Sequence, residues 1–228
     1  MSVSLPSSAV QADVIDIRGL ASGPGTLFVD ANVLYWVFYP NFGQLGGSKP
    51  PQLHDYSRYW TAVAKANATK TSKFAAVSII ISEFAKTVEF AELSIKWQSD
   101  PVLSTTEFNA KKSKEARFAF IADLKGIRSS VKTIIDSALK HIEISPQGLT
   151  PEFQTVMPNW VDSCGDVADA VMVATAKRAG CGILSDDMDI ATFSGITLFT
   201  ANPKVIFAAK QAGKLRPFQA QSVASSSN

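Results

Sequence analysis

The sequence contains few of the residues that build zinc sites, disulfide frameworks and histidine-based catalytic centres. Among its 228 residues are only two cysteines, Cys164 and Cys181, and only two histidines, His54 and His141. Two cysteines without closely spaced cysteine or histidine partners form neither a zinc site nor a disulfide scaffold, and we expect them to be free, buried thiols. Neither histidine stands near the acidic segments described below, so chemistry at those segments has to rely on carboxylates.

Charged residues and long apolar runs are also limited. Charged residues make up 18% and hydrophobic residues 46% of the chain, which is ordinary for a globular protein. The length fits one domain with a substantial core. Residues 1–12 lack the basic and apolar regions of a secretory signal, and no run approaches the roughly 18 apolar residues of a membrane-spanning helix. We therefore expect a cytoplasmic protein that has no membrane partner.

Acidic residues follow several apolar segments of the chain. The clearest segment, residues 26–34, reads Thr-Leu-Phe-Val-Asp-Ala-Asn-Val-Leu and changes from strand-like to helix-like sequence at Asp30. In a parallel sheet the carboxyl ends of the strands open onto one crevice, so carboxylates that follow different strands would meet there. A cluster of like charges needs cations for its stability. The acids concerned are Asp30, Glu83 in residues 77–84, Asp169 in residues 166–176, and Asp187 in residues 182–189.

Strand-like and helix-like segments alternate along the chain, as they do in repeated βαβ units. We predict an α/β fold of three layers, α/β/α, with a mainly parallel central sheet. The predicted strands cover residues 26–29, 74–80, 183–184 and 196–199. The predicted helices cover residues 31–38, 54–68, 83–97, 105–143, the segment that contains Asp169, and residues 204–210.

The breaks in this pattern predict the domain organisation. A Gly-Pro-Gly sequence ends an expected leader, residues 1–24, and a single domain follows over residues 25–212. Apolar residues at three- and four-residue spacing predict that the middle of the chain is helical. We expect residues 98–157 to be a helical insertion in the domain. A flexible tail is expected over residues 213–228.

The acidic segments and their surroundings resemble the PIN-domain family of ribonucleases, which includes the VapC-type toxins of bacterial toxin–antitoxin pairs. The matching residues are Asp30-x-Asn32, Ser82-Glu83-Phe84, Ala168-Asp169-Ala170, Ala174-Thr175-Ala176 and Ser185-x-Asp187-x-Asp189. The family commonly has Thr-x-Asp-x-Asp-Phe at the last motif, and Ile190 stands here in place of the Phe. The resemblance covers roughly residues 25–92 and 160–203.

The resemblance implies a PIN-like fold and an endoribonuclease that hydrolyses RNA phosphodiester bonds. Divalent Mg²⁺ or Mn²⁺ would be the cofactor, which agrees with the preference of such ions for carboxylate oxygen and water. RNA would be the substrate, an antitoxin protein the partner, and a homodimer the assembly. The implied catalytic and metal-binding residues are Asp30, Glu83, Asp169 and Asp187.

Each of these acids has an alternative interpretation. Asp30 could act only as the N-cap of the helix that follows it, and acids near a helix start are favourable without any function. The residues expected to support the site are Asn32, Ser185, Asp166 and Asp189. Ser185 could do so through a hydrogen bond to a metal-bound water or a substrate phosphate. The rival acids are Glu89 and Glu92 for Glu83, Asp166 for Asp169, and Asp186 and Asp189 for Asp187.

Two other functions stay open at this point. The first is a catalytically incomplete PIN-like module that binds nucleic acid or protein, although the acidic character of all four positions favours catalysis. The second is a phosphatase with an aspartate nucleophile. It fits less well, because Asn32 stands where such enzymes need a second aspartate.

A basic segment lies in the middle of a chain whose net charge is only +2. Seven basic and two acidic residues lie between positions 111 and 132. We expect this segment to bind RNA phosphates, since such contacts by lysine and arginine do not depend on base sequence. A solvated helix face, or a surface for an acidic protein, would show the same pattern. The expected RNA-binding residues are Lys111, Lys112, Lys114 and Arg117.

Aromatic residues are concentrated in and just after the first predicted helix. We expect them to pack in the core or at a dimer contact, and stacking on bases of single-stranded RNA is the alternative. The residues are Tyr35, Trp36, Phe38, Tyr39 and Phe42.

Overall fold

A single six-stranded sheet forms the centre of the protein, and every neighbouring pair of its strands is parallel. Helices flank the sheet, so the expected three-layer α/β/α architecture is confirmed. The strand order is β1-β6-β5-β2-β3-β4. The strands are β1 (Asp13–Asp16), β2 (Thr26–Val29), β3 (Lys73–Ala76), β4 (Ile142–Ile144), β5 (Gly182–Leu184) and β6 (Thr197–Thr200). The structure is a computed structural model that describes residues 4–45, 51–67, 73–145, 156, 158 and 160–218.

The helices of the described segments differ widely in length. They are α1 (Ala31–Phe38), α2 (Gln52–Asn67), α3 (Ser78–Ser99), α4 (Ala110–Ala119), α5 (Leu124–Leu139), α6 (Val167–Ala179) and α7 (Pro203–Gln211). Short 3₁₀ helices lie at Ser7–Ala9, Phe42–Leu45 and Asp189–Thr192. No helix in these segments is both long and apolar enough to cross a membrane.

The inner strands β2 and β5 bring two distant parts of the chain to one edge of the sheet. Their apolar side chains are almost completely buried, as is typical of a parallel sheet covered on both faces. In the register of this pair, Val29 lies opposite Leu184. The residues that follow, Asp30 and Ser185, are therefore neighbours at the carboxyl edge.

Helix α6 ends as the sequence predicts, at Gly180. This residue has a φ of 64°, a left-handed conformation that glycine adopts without the clash a Cβ atom would cause. Its N–H group donates to the carbonyl oxygens of Ala176 and Lys177, which satisfies the last turn of the helix. The chain then enters β5 within two residues.

The region expected to be a leader, residues 1–24, contributes an edge strand to the sheet. Strand β1 pairs with β6, and Val14 on it is fully buried. The expected tail also returns to this edge, because the backbone N–H of Arg216 donates to the carbonyl oxygen of Val14 at 2.8 Å. Residues 13–16 of the expected leader are therefore part of the sheet. Residues 1–3 and 219–228 lie outside the described part of the chain.

The second predicted strand, residues 74–80, is too long. Helix α3 already begins at Ser78, so the three isoleucines at 79–81 are helical. β-branched residues favour strands, but the apolar residues of α3 recur at helical spacing and pack into the core. The packing of this face outweighs local propensity, and it places Glu83 in the second turn of a helix instead of at its start.

The segment expected to be a helical insertion, residues 98–157, contains a strand as well as α4 and α5. Strand β4 pairs with β3, so the segment also extends the sheet. Residues 146–155, 157 and 159 of the chain lie outside the described residues. A separate apolar cluster holds α4 against α3, and it consists of Leu93, Trp97, Ala116 and Phe120.

Both cysteines are free thiols, but their expected burial is wrong. Cys164 is exposed and Cys181 is only partly buried. Each belongs to a connection at one end of α6 instead of to the buried face of that helix.

Candidate active site

A cleft of about 590 Å³ opens where β2 and β5 end. Side chains from α1, α3, α4, α6 and the turn after β5 line it. All four acids expected from the sequence line this one cleft, together with the expected supporting residues Asn32 and Asp166. Those four acids are Asp30, Glu83, Asp169 and Asp187.

Asp30 is buried at the base of the cleft and has two roles. Its Oδ1 accepts a 2.6 Å hydrogen bond from the N–H of Ala31, which makes it the N-cap of α1. Its Oδ2 accepts a 2.6 Å hydrogen bond from the hydroxyl of Ser185. Burial and the nearby charges of Asp187 and Glu83 raise the pKa of Asp30 to about 7, although these two hydrogen bonds oppose the rise. Asp30 therefore does cap α1, but capping accounts for only one of its two carboxylate oxygens.

The turn after β5 is held by the same serine. Ser185 is fully buried, and its Oγ accepts a 2.9 Å hydrogen bond from the N–H of Asp187. Oδ1 of Asp187 in turn accepts from the N–H of Asp189 at 2.9 Å. Ser185 therefore connects the backbone of the acidic turn to the carboxylate of Asp30.

The three rival acids of this turn point to different places. Asp187 lines the cleft. Asp186 instead accepts hydrogen bonds from the Tyr56 hydroxyl at 3.1 Å and the Gln52 side chain at 3.4 Å. Asp189 does not line the cleft. Its burial raises its pKa, and the charge of Asp187 adds to the rise. Among them, Asp187 is the candidate ligand.

Asp166 and Asp169 form a capping box at the start of α6. The N–H of Asp169 donates to Oδ1 of Asp166, and the N–H of Asp166 donates to Oδ2 of Asp169, each at 3.0 Å. Burial raises the pKa of Asp169 to about 8, and the negative charges of Asp30, Asp166 and Asp187 add to the rise. The hydrogen bond from the backbone N–H of Asp166 acts in the opposite direction and lowers this pKa. Asp169 is therefore both a structural residue and a member of the acidic cluster.

Gly165 gives the start of α6 the room to approach the site. A Cβ atom at this position would lie 2.6 Å from Cε2 of Phe193 and 3.0 Å from Oδ2 of Asp169. Any larger side chain would have to displace a buried ring or the carboxylate itself. The absence of a side chain at Gly165 thus helps to fix the position of Asp169.

Glu83 reaches the cleft from the second turn of α3. Burial and the charge of Asp166 raise its pKa, and Lys86 partly offsets this. Its rivals have other partners: Glu89 forms ion pairs with Arg117 and Arg128, while Glu92 accepts hydrogen bonds from a tyrosine and an asparagine. Neither rival lines the cleft.

Several residues of the cleft were not among the expected site residues. Helix α3 adds Lys86, Thr87 and Phe90, and α4 adds Ala110 and Ser113. With Glu83, the α3 residues follow helical spacing, so the predicted helix over residues 83–97 could have identified them from the sequence. The α4 residues give no such local signal, because their placement depends on how α4 packs against α3.

One basic residue of the segment reaches the cleft. Arg117 lines it, whereas Lys111, Lys112 and Lys114 do not. The ammonium group of Lys112 donates to the carbonyl oxygen of Glu107 at 2.6 Å. RNA binding by the three lysines stays a prediction.

The aromatic row packs largely within the protein. Trp36 packs against Tyr56, and Phe38 packs against Trp60. Tyr35 stacks on Tyr39, with ring centroids 4.8 Å apart, and is the member of this row that also lines the cleft. Packing is therefore the main role of these residues in the described structure.

The donor set of the cleft is suited to a hard divalent cation. Mg²⁺ binds through one or two carboxylates and several waters, and carboxylate oxygens have more than one lone pair each. The described residues hold no group of three or more acidic, histidine or cysteine side chains placed to bind a metal ion. Hydrogen bonds within the protein already occupy both carboxylate oxygens of Asp30 and one of Asp169. Asp30, Glu83, Asp169 and Asp187 are the residues of the cleft that could hold such an ion.

Comparison with protein families and with curated proteins found no relative of this chain. The chain matches no protein-family model, and no curated protein matches its sequence. The structure itself defines the protein as a three-layer α/β/α domain with an acidic cleft at the carboxyl edge of a parallel sheet.

Proposed function

We propose that this protein is a divalent-metal-dependent endoribonuclease of the PIN-domain type. The observation that carries the proposal is the convergence of Asp30, Glu83, Asp169 and Asp187 on one cleft, from parts of the chain far apart in sequence. Burial of like charges without a cation is unfavourable, and the raised pKa values of Asp30 and Asp169 express that cost. The choice of RNA as substrate rests on the resemblance to the PIN-domain family.

The four acids of the cleft and the buried Ser185 have three different roles. Asp30 and Asp169 would hold Mg²⁺ or Mn²⁺ directly, and Glu83 and Asp187 would hold ligand waters and orient the attacking water. Ser185 keeps Oδ2 of Asp30 in place through its hydrogen bond. The cation, when bound, would activate water and neutralise charge on the phosphate.

The same resemblance extends the proposal to partners and location. A VapC-type toxin would have an antitoxin protein as its inhibitor, would form a homodimer and would act in the cytoplasm. A pull-down from the native host that recovers no small partner protein would argue against the toxin role while leaving the nuclease proposal intact.

A second candidate function is a PIN-like module that binds nucleic acid or protein without cleaving it. It is favoured by one observation: the described residues place no three ligands around a single point. Binding of RNA without cleavage in Mg²⁺ and Mn²⁺ would select this alternative.

Cleavage of labelled RNA by the purified chain tests the main proposal. We expect cleavage in Mn²⁺ or Mg²⁺, its loss in chelator, and its loss in Asp30→Asn and Asp169→Asn. Asp162→Asn is the matched control, because Asp162 is exposed, lies close to α6 in sequence and does not line the cleft. Cleavage that continues in chelator, or that survives Asp30→Asn, would contradict a metal mechanism.

A further inference from the structure

The outer wall of the cleft is built by two packed helices, α3 and α4. On α3, Glu83, Lys86 and Phe90 lie on one face and line the cleft in that order. From Glu83 to Phe90 the helix rises about 10 Å, at roughly 1.5 Å per residue. The cleft therefore extends along α3 well beyond the acidic cluster.

Helix α4 contributes the opposite side of this extension. Ala110, Ser113 and Arg117, at spacings of three and four residues, face the cleft together. Ala116, the neighbour of Arg117, is fully buried in the cluster between α3 and α4. The position of the Arg117 side chain is thus fixed by the packing of the helix that carries it.

An ion pair also orients Arg117. Its Nη2 donates to Oε2 of Glu89 at 2.9 Å, and Glu89 accepts at Oε1 from Nε of Arg128 at 3.1 Å. The side chain of Glu89 is only 15% exposed. Two guanidinium groups share this one carboxylate, so the set has a net positive charge. Within the described residues Nη1 of Arg117 has no hydrogen-bond partner and can donate to a ligand.

Lys86 places a second cation on the same stretch. Its side chain is exposed, lies one turn beyond Glu83, and takes part in no ion pair among the described residues. The cleft is therefore acidic at its inner end and basic at its outer end.

We propose that Lys86 and Arg117 form a second phosphate subsite, which binds the backbone phosphate next to the scissile one. The inference rests on the proposed function, since it requires a polyanionic strand whose cleaved phosphate lies at the acidic end. Arginine held by a carboxylate is preorganised for phosphate oxygen, and lysine adds a mobile point charge. The subsite makes the enzyme depend on substrate length, because a single phosphodiester cannot occupy both ends of the cleft.

The salt dependence of RNA binding tests the subsite directly. Binding of labelled single-stranded RNA is measured by anisotropy in an Asp30→Asn background, so that cleavage does not interfere. Each phosphate contact contributes about 0.7 to the slope of log affinity against log salt for single strands. Lys86→Ala should reduce the slope by about 0.7, and Lys86→Ala with Arg117→Ala by about 1.4.

The control is a double variant with the same change in charge, Arg58→Ala with Lys65→Ala. These residues lie on α2, away from the cleft, and Arg58 also forms an ion pair with an acid, Asp55. Unchanged slopes in the Lys86 and Arg117 variants, or an equal change in the control, would overturn the subsite. Lys86→Ala tests the proposal even if loss of Arg117 loosens α4.

Cleavage kinetics separate this inference from the proposed function. In the Asp30-containing protein, the double variant should raise KM about tenfold with kcat within about twofold, because binding common to substrate and transition state is removed. The expected slopes without any cleavage in the wild type would contradict the nuclease proposal and leave only the binding of RNA phosphate by Lys86 and Arg117 in place. Cleavage with an unchanged KM would contradict the subsite alone, and absence of RNA binding would overturn both.

Discussion

The hydroxyl of Ser185 donates a 2.6 Å hydrogen bond to Oδ2 of Asp30, although 155 positions separate the two residues in the chain. The bond exists because β2 and β5 are neighbours in register and end together. Since Ser185 also accepts from the N–H of Asp187, one buried hydroxyl positions acids from two segments.

Ser185→Ala should lower stability and activity together. The change leaves a buried carboxylate oxygen and the N–H of Asp187 without their partner, at a cost of about 1–3 kcal/mol in unfolding free energy. Urea unfolding and cleavage kinetics measure the two effects, and kcat should fall more than KM rises. Ser185→Thr keeps the hydroxyl and should retain most activity. Equal activity of the Ala and Thr variants would show that the hydroxyl of Ser185 does not contribute to the site.

Tyr56→Phe should destabilise the protein, because the Tyr56 hydroxyl joins the ends of β5 and β6. It contacts the carbonyl oxygen of Ser185 at 2.9 Å and Oγ1 of Thr200 at 2.9 Å, and it accepts from the N–H of Ala201 at 3.0 Å. Removing it from this fully buried position should cost about 1–3 kcal/mol. Thermal or urea unfolding gives the value.

The matched control is Tyr59→Phe, one turn further along α2. The Tyr59 hydroxyl is also buried, but it has no hydrogen-bond partner among the described residues. Removing an unpaired buried polar group should leave stability unchanged or raise it. Similar losses in both variants would show that the contacts of Tyr56 are not the cause.

The acidic cluster should make the metal-free protein less stable as pH rises. The pKa of Asp169 is about 8 and that of Asp30 about 7, against 3.8 for an ordinary aspartate. The folded state therefore binds these protons more tightly than the unfolded state does. The resulting stability is present below pH 4 and is lost as pH rises to about 8. Thermal melts in chelator across this range measure the fall.

Asp169→Asn should weaken that pH dependence, because it removes the carboxylate that lies near Asp30, Asp166 and Asp187. Asparagine can still accept the capping hydrogen bond from the N–H of Asp166. Mn²⁺ should stabilise the wild type by mass action and the variant much less. An equal effect of Mn²⁺ on both proteins would argue against a shared metal site.

Gly165→Ala should impair folding and activity through a steric clash. The new Cβ would lie 2.6 Å from Cε2 of Phe193, and such overpacking costs about 1–3 kcal/mol. Because Oδ2 of Asp169 is also within 3.0 Å, kcat should fall as well. The control is Gly126→Ala in α5, where no atom lies within 4 Å. That change should stabilise by about 0.5–1 kcal/mol, because alanine favours the helix.

Much of the α/β alternation was predictable because it depends on local patterns. Helix α1 matches its predicted bounds, and the glycine stop of α6 is where the sequence places it. The edge strands β1 and β4 are no shorter than the inner strands that were predicted, but they were missed because acidic residues interrupt their apolar runs. Their strand state depends on the neighbours they pair with.

The acids themselves were identified from the sequence, through the apolar segments in which they lie and through the resemblance to the PIN-domain family. Tertiary contacts distinguish the neighbouring acids of one segment. The side chain of Asp187 lines the cleft. The side chain of Asp186 does not, and it accepts a hydrogen bond from Tyr56 on α2.

By itself, the sequence determined the fold class, the approximate helices and inner strands, and the four acids that line the cleft. Those features follow from short-range periodicity, helix termini and strand ends, which act over a few residues. Tertiary structure alone decided that Ser185 reaches Asp30, that Gly165 leaves room for Asp169, and that Lys86 and Arg117 share one wall. Each depends on which helices and strands pack together, because side chains distant in sequence meet only after long-range packing sets their distance and direction.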